Sequence, residues 1–161
     1  MSQVDVQLSP YVASGVIDGA VALLIVETTS TRNAMTISCF SEVAHYPAAI
    51  WVSIEKSAYT HDLLSTAKRF SLAVLSRNQR ALALKCAYSG RTTDKCAALD
   101  LYRSPSGYLF LADAIACTGA EVIGTNDFKT HTLFVANIVE AILDSRSSHL
   151  RQLLISDLES T

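Results

Sequence analysis

The chain alternates short apolar runs with polar, turn-forming segments, and the apolar runs have the length of β-strands. Ala20–Glu27 is rich in Val, Leu and Ile without a polar period, which predicts a strand buried on both faces. Asn33–Phe40 is predicted to be a second strand, and Ala49–Ile54 and Phe70–Leu75 are predicted to follow it as further strands. The first half of the chain therefore predicts a sheet.

Two longer apolar runs near the C-terminus predict the longest strands. Ala114–Ile123 and His131–Leu143 flank a polar turn at Gly124–Thr130. The second run is apolar on both faces, which predicts burial once in a barrel interior and once beneath helices or a partner subunit. With about six strands and a few short helices, the pattern indicates a mainly β (α+β) domain built on a barrel-like sheet.

Helix signals separate and flank these strands. Ser9 followed by Pro10 predicts a short N-terminal helix. Three further helices are predicted from caps and helical leucine spacing. The first starts at Ser57 or Thr60 and carries Leu63, Leu64 and Ala67. The second starts at Asn78 and carries Leu82, Leu84 and Cys86. The third starts at Ser147 or Ser148 and carries Leu150, Leu153, Leu154 and Leu158. Ser89–Asp94 is predicted to be a loop, and Ser104–Gly107 a turn.

Composition bears on partners more than on fold. The 161 residues suit a single domain over 1–161, and 50% of them are hydrophobic while 17% are charged. This apolar excess predicts a partner interface, for which a symmetric homodimer is the commonest solution. No apolar run approaches the roughly 18 to 20 residues of a membrane span, and the N-terminus does not resemble a secretory signal. We therefore expect a cytoplasmic protein without a membrane segment.

Charge and cysteine spacing disfavour two other kinds of site. The net charge is −2 and there is no basic stripe interleaved with aromatic residues, so we expect no nucleic acid partner. The cysteines Cys39, Cys86, Cys96 and Cys117 are too irregularly spaced for a zinc site. We expect free thiols and no metal.

The segment 33–60 has the densest candidate chemistry. Asn33, Thr36 and Ser38 could hydrogen-bond the polar edge of a planar heterocycle, although a solvent-facing hairpin rich in hydroxyl groups has the same pattern. Ser53–Thr60 offers Lys56, hydroxyl groups and a helix start, a combination that favours an anion such as phosphate. The alternative is an ordinary helix cap beside a solvated lysine.

Other reaction classes have weaker support. Neither a GxGxxG nor a GxxxxGK[ST] phosphate loop is present, and there is no GxSxG elbow for a serine nucleophile. His131 opens the last long strand, where a histidine is either catalytic or, more commonly, structural. We assign no general acid or base.

Seven short motifs occur in a fixed order along most of the chain. They are N-A-M-T-I-S, V-A-x-x-P, W-V-S-I-E-K-S-A-Y-T, R-F-S-L-A-V-L, S-G-R-x-x-D-K, L-A-D-A-I-A and T-H-T-L-F-V-A-N-I-V-E-A. Together they resemble the flavin reductase-like family of FMN-binding split barrels, from about Gly15 to Ala141. The resemblance implies a six-stranded antiparallel split barrel that forms a dimer.

The resemblance also implies a division of the site. The segment facing the flavin ring would be Asn33–Cys39, and Ser53–Thr60 would hold the ribityl chain and the phosphate. His131 and Arg91 would lie on the side of the nicotinamide or substrate. The implied cofactor contacts are Asn33, Ala34, Met35, Thr36, Ser38, Cys39, Ser53, Lys56, Ser57 and Thr60. Two departures from the family pattern are Cys96, where a phenylalanine is usual, and the leucine-spaced C-terminal segment.

The function implied by the resemblance is an NAD(P)H-dependent flavin reductase that transfers a hydride from the nicotinamide to bound FMN. FAD is the alternative flavin, NAD(P)H is the co-substrate, and a redox protein is a candidate partner. The alternative function is an FMN-binding electron-transfer protein without nicotinamide oxidase activity. A third possibility is a barrel that has lost its cofactor and serves as a dimeric scaffold.

Overall fold

The computed structural model describes residues 18–88, 95–144 and 152–159. These residues form nine strands, three α-helices and two short 3-10 helices. The strands are β1 Ala22–Glu27, β2 Arg32–Ile37, β3 Phe40–His45, β4 Ala48–Glu55, β5 Arg69–Val74, β6 Leu101–Arg103, β7 Leu109–Leu111, β8 Ala116–Asp127 and β9 His131–Leu143. The α-helices are α1 Tyr59–Ala67, α2 Arg80–Ala87 and α3 Ile155–Glu159, and the 3-10 helices are Arg77–Gln79 and Lys95–Ala98.

Seven strands form one antiparallel sheet in the order β2-β1-β5-β8-β9-β4-β3. Its two edge strands, β2 and β3, follow each other in the chain and are linked only by Ser38 and Cys39. A flat sheet of this size is about 29 Å across at ~4.8 Å per strand, whereas so short a link spans about 11 Å at most. The sheet must therefore curl until its edges meet, which makes it a barrel.

The interior of the barrel is a continuous apolar cluster to which all seven strands contribute. Its largest fully buried members include Leu24, Val26, Ile54, Leu64 and Phe70. Leu64 lies on α1, so this helix packs against the interior between the strands. The fold class predicted from the sequence, an antiparallel barrel-like sheet with short helices, is confirmed.

A second apolar cluster covers the outer face of β1 and β5. It contains Leu23, Ile25 and Leu75 from the sheet region, Ala83 from α2 and Phe110 from the β6–β7 hairpin. Strand β1 thus contributes alternate residues to both clusters and is buried on both faces, as its unbroken apolar sequence predicts. The outer face of β4 and β9 is different, because Trp51, Leu133 and Val135 remain only half-buried there.

The strand predicted at Asn33–Phe40 is instead divided between two strands. It ends at Ile37, and Phe40 begins β3 on the opposite edge of the sheet. The break raises the main sheet to seven strands, where the sequence suggested six. The predicted turn at Gly124–Thr130 is shorter than expected, because β8 continues through Asp127.

Two predicted helix starts and the predicted C-terminal helix need correction. Helix α1 has Ala58 at its N-cap and no side-chain cap. The turn before α2 is closed by Ser76, whose backbone N–H donates to Gln79 Oε1 over 3.0 Å, and not by Asn78. Leu153 is fully buried, but in an extended segment: its N–H donates to Leu75 O over 2.9 Å, and α3 begins only at Ile155.

Some predicted features cannot be compared with the structure. The N-terminal helix at Ser9 and Pro10 lies outside the described residues. The same holds for the loop Ser89–Asp94, which includes Arg91, and for the caps Ser147 and Ser148.

Candidate active site

The β3–β4 hairpin brings the two halves of the predicted site together. Ser53 N–H donates to the carbonyl oxygen of Cys39 over 3.0 Å. Ser38 and Cys39 are exposed and Ser53 is half-buried. We call these three residues the seam: Ser38 and Cys39 link the two edge strands, and Ser53 on β4 bonds to Cys39. The seam presents hydroxyl, thiol and backbone polar groups on an accessible surface.

Asn33 and Thr60, from the two predicted segments, bond to each other. Asn33 is 3% exposed, Thr60 is 1% exposed, and Asn33 Nδ2 donates to Thr60 Oγ1 over 2.9 Å. Buried polar side chains normally need such a partner. The bond ties β2 to the first turn of α1, so it holds together the two segments that the sequence assigns to the ring and to the phosphate.

The other β2 residues that the sequence predicts on the ring side are also partly enclosed by the protein. Ala34 is fully buried in the outer cluster, and Met35 packs partly against the interior cluster. Thr36 Oγ1 donates to the carbonyl oxygen of Ala83 on α2 over 2.6 Å. The predicted set therefore divides into accessible residues at the seam and residues of β2 that support it.

Lys56 follows the end of β4, immediately before α1. Its N–H donates to Thr130 O over 2.9 Å, which fixes its backbone against the β8–β9 turn. Its Nζ lies 3.5 Å from Asp127 Oδ1. Ser57 is exposed beside it. The first amides of a helix carry partial positive charge. We call Lys56 and the start of α1 the electropositive corner; it follows Ser53 of the seam by three residues.

His131 lies beside this corner. It begins β9 opposite Glu55 on β4, and its Nδ1 is 2.8 Å from Thr130 Oγ1. Its side chain is half-buried. The antiparallel pairing of β4 and β9 thus brings His131 to the same end of the sheet as Lys56.

The structure adds three residues that the sequence analysis did not single out. Thr132 Oγ1 donates to Asp127 Oδ1 over 3.0 Å and lies 2.9 Å from His61 Nε2. The pKa of the Asp127 carboxyl is lowered, first by the Thr132 hydrogen bond and then by the charge of Lys56. His61 also packs edge-on against Phe134, with ring centroids 5.5 Å apart.

These residues line a cleft of about 360 Å³ between α1 and the β8–β9 hairpin. Its apolar wall includes Leu64 and Val122. The sequence does not predict that His61 and Thr132 meet in this cleft, because 71 positions separate them. A local indication of the role of His61 is its position directly after Thr60, at the start of a predicted helix.

Comparison with known proteins identifies the family. A family model described as "Flavin reductase like domain" matches residues 15–155. The chain belongs to this family. This confirms the resemblance of the seven motifs, and it fits the barrel and the seam that the structure shows.

Two curated relatives and one solved structure illustrate the range of the family. The NADH-dependent flavin reductase StyB of Pseudomonas fluorescens is 29% identical over 119 residues, covering 73% of this chain and 68% of that protein. The reductase component of FADH(2)-dependent resorcinol hydroxylase from a Rhizobium strain is 27% identical over 109 residues, covering 66% and 60%. A crystal structure of an FMN-binding protein from Thermus thermophilus is 26% identical, with a TM-score of 0.80 and coverage of 86% and 81%.

The matches to the two curated relatives thus extend over 60% and 68% of their lengths. Within the described residues, no helix is long and apolar enough to cross a membrane.

Proposed function

We propose that this chain is an NAD(P)H-dependent flavin reductase acting on FMN, with FAD as the alternative flavin, and that 1–161 form one flavin-binding domain. The observation that carries the proposal is the seam, where Cys39 and Ser53 meet beside the electropositive corner at Lys56. A flavin nucleotide needs both a polar edge for its ring and a cationic site for its phosphate, and the family match supports this pairing. FMN, when bound, accepts a hydride from a reduced nicotinamide and passes the electrons on.

The ring side of the site would be formed by the seam. Ser38 and Ser53 present hydroxyl groups and Cys39 a soft, polarisable thiol. Strand β2 would be held in place by residues whose side chains are largely engaged within the protein: Asn33, Ala34, Met35 and Thr36. Such a prearranged surface orients a planar ring without reorganisation at the moment of reaction.

The phosphate side would be formed by Lys56, Ser57 and the first amides of α1. The helix has nine residues, and its N-cap residue, Ala58, makes no side-chain cap hydrogen bond. Amides of this kind favour anions. Thr60 would act from beneath, by fixing the first turn through its bond with Asn33.

His131 would border the nicotinamide side of the flavin, and Arg91 is proposed for the same side on the basis of the family resemblance. His131 shares its end of the sheet with Lys56. A nicotinamide placed there would lie against the accessible face of a ring seated on the seam. Stacking of the two rings at contact distance is the main requirement for hydride transfer.

Flavin binding and nicotinamide oxidation test this proposal separately. Purified protein titrated with FMN should quench flavin fluorescence, and it should oxidise NADH or NADPH faster than free FMN alone. FMN binding without turnover above the free-flavin background would leave the electron-transfer alternative and exclude the reductase. Absence of FMN and FAD binding would exclude both.

We also propose that the protein is a homodimer and that the outer face of β4 and β9 forms the interface. Trp51, Leu133 and Val135 are half-buried apolar residues on this face. An apolar sheet face of this kind commonly marks a protein interface. Light scattering after size-exclusion chromatography should give twice the 17.4 kDa chain mass. Val135→Glu, at the residue that pairs with Trp51, should shift the mass to that of one chain while the circular dichroism spectrum is retained.

The cellular setting is proposed as cytoplasmic, with a redox protein as electron acceptor. All four cysteines are free thiols, as is usual in a reducing compartment. The Rhizobium relative is named as the reductase component of a hydroxylase, and this supports an oxygenase as the acceptor of reduced flavin. Addition of such an oxygenase should couple NADH oxidation to product formation.

A further inference from the structure

The lysine of the electropositive corner is already paired with a carboxylate. Lys56 Nζ lies 3.5 Å from Asp127 Oδ1. The backbone geometry enforces this proximity, because Lys56 N–H bonds to Thr130 O in the turn that follows Asp127. The Lys56 side chain is 40% exposed and that of Asp127 is 75% exposed, so both are accessible to a ligand in solvent.

Asp127 is held in position from the protein side. The hydroxyl hydrogen of Thr132 is donated to Asp127 Oδ1 over 3.0 Å. The hydroxyl oxygen of Thr132 lies 2.9 Å from His61 Nε2. Since the single hydrogen of this hydroxyl is used, its oxygen accepts at the other contact and His61 carries a hydrogen on Nε2. Thr132 is buried, so this chain of bonds fixes the carboxylate beside Lys56.

We propose that Asp127 competes with the flavin phosphate for Lys56 and thereby sets how strongly the site discriminates FMN from riboflavin. The inference rests on the proposed role of Lys56 as a phosphate contact. Lys56 carries one positive charge, and a phosphate that approaches it must draw it away from Asp127 and also meets the negative charge of that carboxylate. Both effects weaken phosphate binding, so Asp127 keeps the affinity for FMN below what Lys56 alone would provide.

Asp127→Asn removes the negative charge of residue 127 while keeping its hydrogen bond with Thr132. Asparagine keeps an oxygen that can accept from Thr132, so the fold should be retained, but it no longer holds Lys56 by charge. Because exposed ion pairs contribute little, we expect FMN to bind about two- to five-fold more tightly. Riboflavin lacks the phosphate, and its affinity should not change. The gain for FMN should shrink at high salt.

Two matched controls distinguish the specific ion pair between Asp127 and Lys56 from a general effect of negative charge near the phosphate. Glu55→Gln removes a negative charge from the residue next to Lys56, but no ion pair joins Glu55 to Lys56; it should change FMN affinity less than Asp127→Asn. In a Lys56→Ala background, Asp127→Asn should no longer alter the ratio of FMN to riboflavin affinity.

Each outcome of the flavin titrations decides the question. A gain for FMN that requires Lys56 and is absent for riboflavin supports the proposal. Equal FMN affinity of the wild type and Asp127→Asn overturns it and leaves the reductase function standing. An equal gain in Glu55→Gln, or a gain that persists without Lys56, also overturns it. No flavin binding by any of these proteins overturns the proposed function, and this inference with it.

Discussion

Asn33 and Thr60 form a buried hydrogen bond of 2.9 Å between residues that are 27 positions apart. Asn33 lies on the edge strand β2, and Thr60 lies in the first turn of α1. The sequence assigns both side chains to direct flavin contact. Their mutual bond connects β2 to α1, the segments predicted for the ring and for the phosphate, while Ser38 and Cys39 are exposed to solvent.

Removal of either partner of this bond should destabilise the protein. Asn33→Ala leaves the Thr60 hydroxyl buried without its partner, and Thr60→Val leaves the Asn33 amide in the same state. Each should lower the free energy of unfolding by about 1 to 3 kcal/mol. The double variant should lose less than the sum of the two. Ser57→Ala, at an exposed hydroxyl in the same segment, should stay within about 0.5 kcal/mol of the wild type in urea denaturation.

Cys39 should react with alkylating reagents before the other thiols, and FMN should protect it. Cys39 is exposed, whereas burial raises the pKa of Cys117 to about 11 and also raises the pKa of Cys86. The thiolate is the reactive form, so at pH 8 Cys86 and Cys117 combine low access with a small thiolate fraction. Peptide mass spectrometry after iodoacetamide treatment measures the order. Faster labelling of Cys86 or Cys117 contradicts the burial, and undiminished labelling of Cys39 at saturating FMN contradicts the placement of the ring.

Gly119 should not tolerate a side chain. A Cβ at this position would lie 2.5 Å from Cγ of Tyr108, whose ring is buried against it. Gly119→Ala should therefore destabilise the fold by about 1 to 3 kcal/mol through overpacking. Gly124, on the same strand β8, would have nothing within 4 Å of an added Cβ, and Gly124→Ala should be neutral or slightly stabilising. Equal melting temperatures for the two variants would refute this account.

Acid should weaken the protein partly through Glu27. Arg103 donates to both carboxylate oxygens of Glu27, over 2.9 and 3.0 Å, and this bonding lowers the pKa of Glu27. A carboxyl with a lowered pKa stabilises the fold above its ordinary pKa, near 4.5, and loses that contribution as the pH falls. Glu27→Gln should therefore flatten the decline in melting temperature from pH 5 to pH 3. A decline as steep as that of the wild type would exclude a measurable contribution from this pair.

The sequence predicts the strands well because their signal is local. Ala20–Glu27 is apolar without interruption, and the structure buries β1 on both faces. The break at Ser38 and Cys39 has no such signal, since both residues are acceptable within a strand. It arises from closure of the sheet, which depends on strands that lie far apart in the chain.

The errors at the C-terminus and in the site have a similar origin. Leu153 falls at helical spacing with Leu150 and Leu154, but the segment pairs as extended chain with Leu75 and Val21. Leucine spacing records burial and does not distinguish these two conformations. In the site, the residue types were identifiable, but whether Asn33 meets a ligand or Thr60 depends on a contact that no local pattern encodes.

The link Ser38–Cys39 joins β2 and β3, the two edge strands of a single curled sheet. A flavin bound there would contact both edge strands at once, and would therefore hold the two edges of the sheet together. Ligand release and separation of the two edges would then be thermodynamically linked. Amide hydrogen exchange in β2 and β3 should slow together on addition of FMN, although the two strands lie at opposite ends of the hydrogen-bonded order.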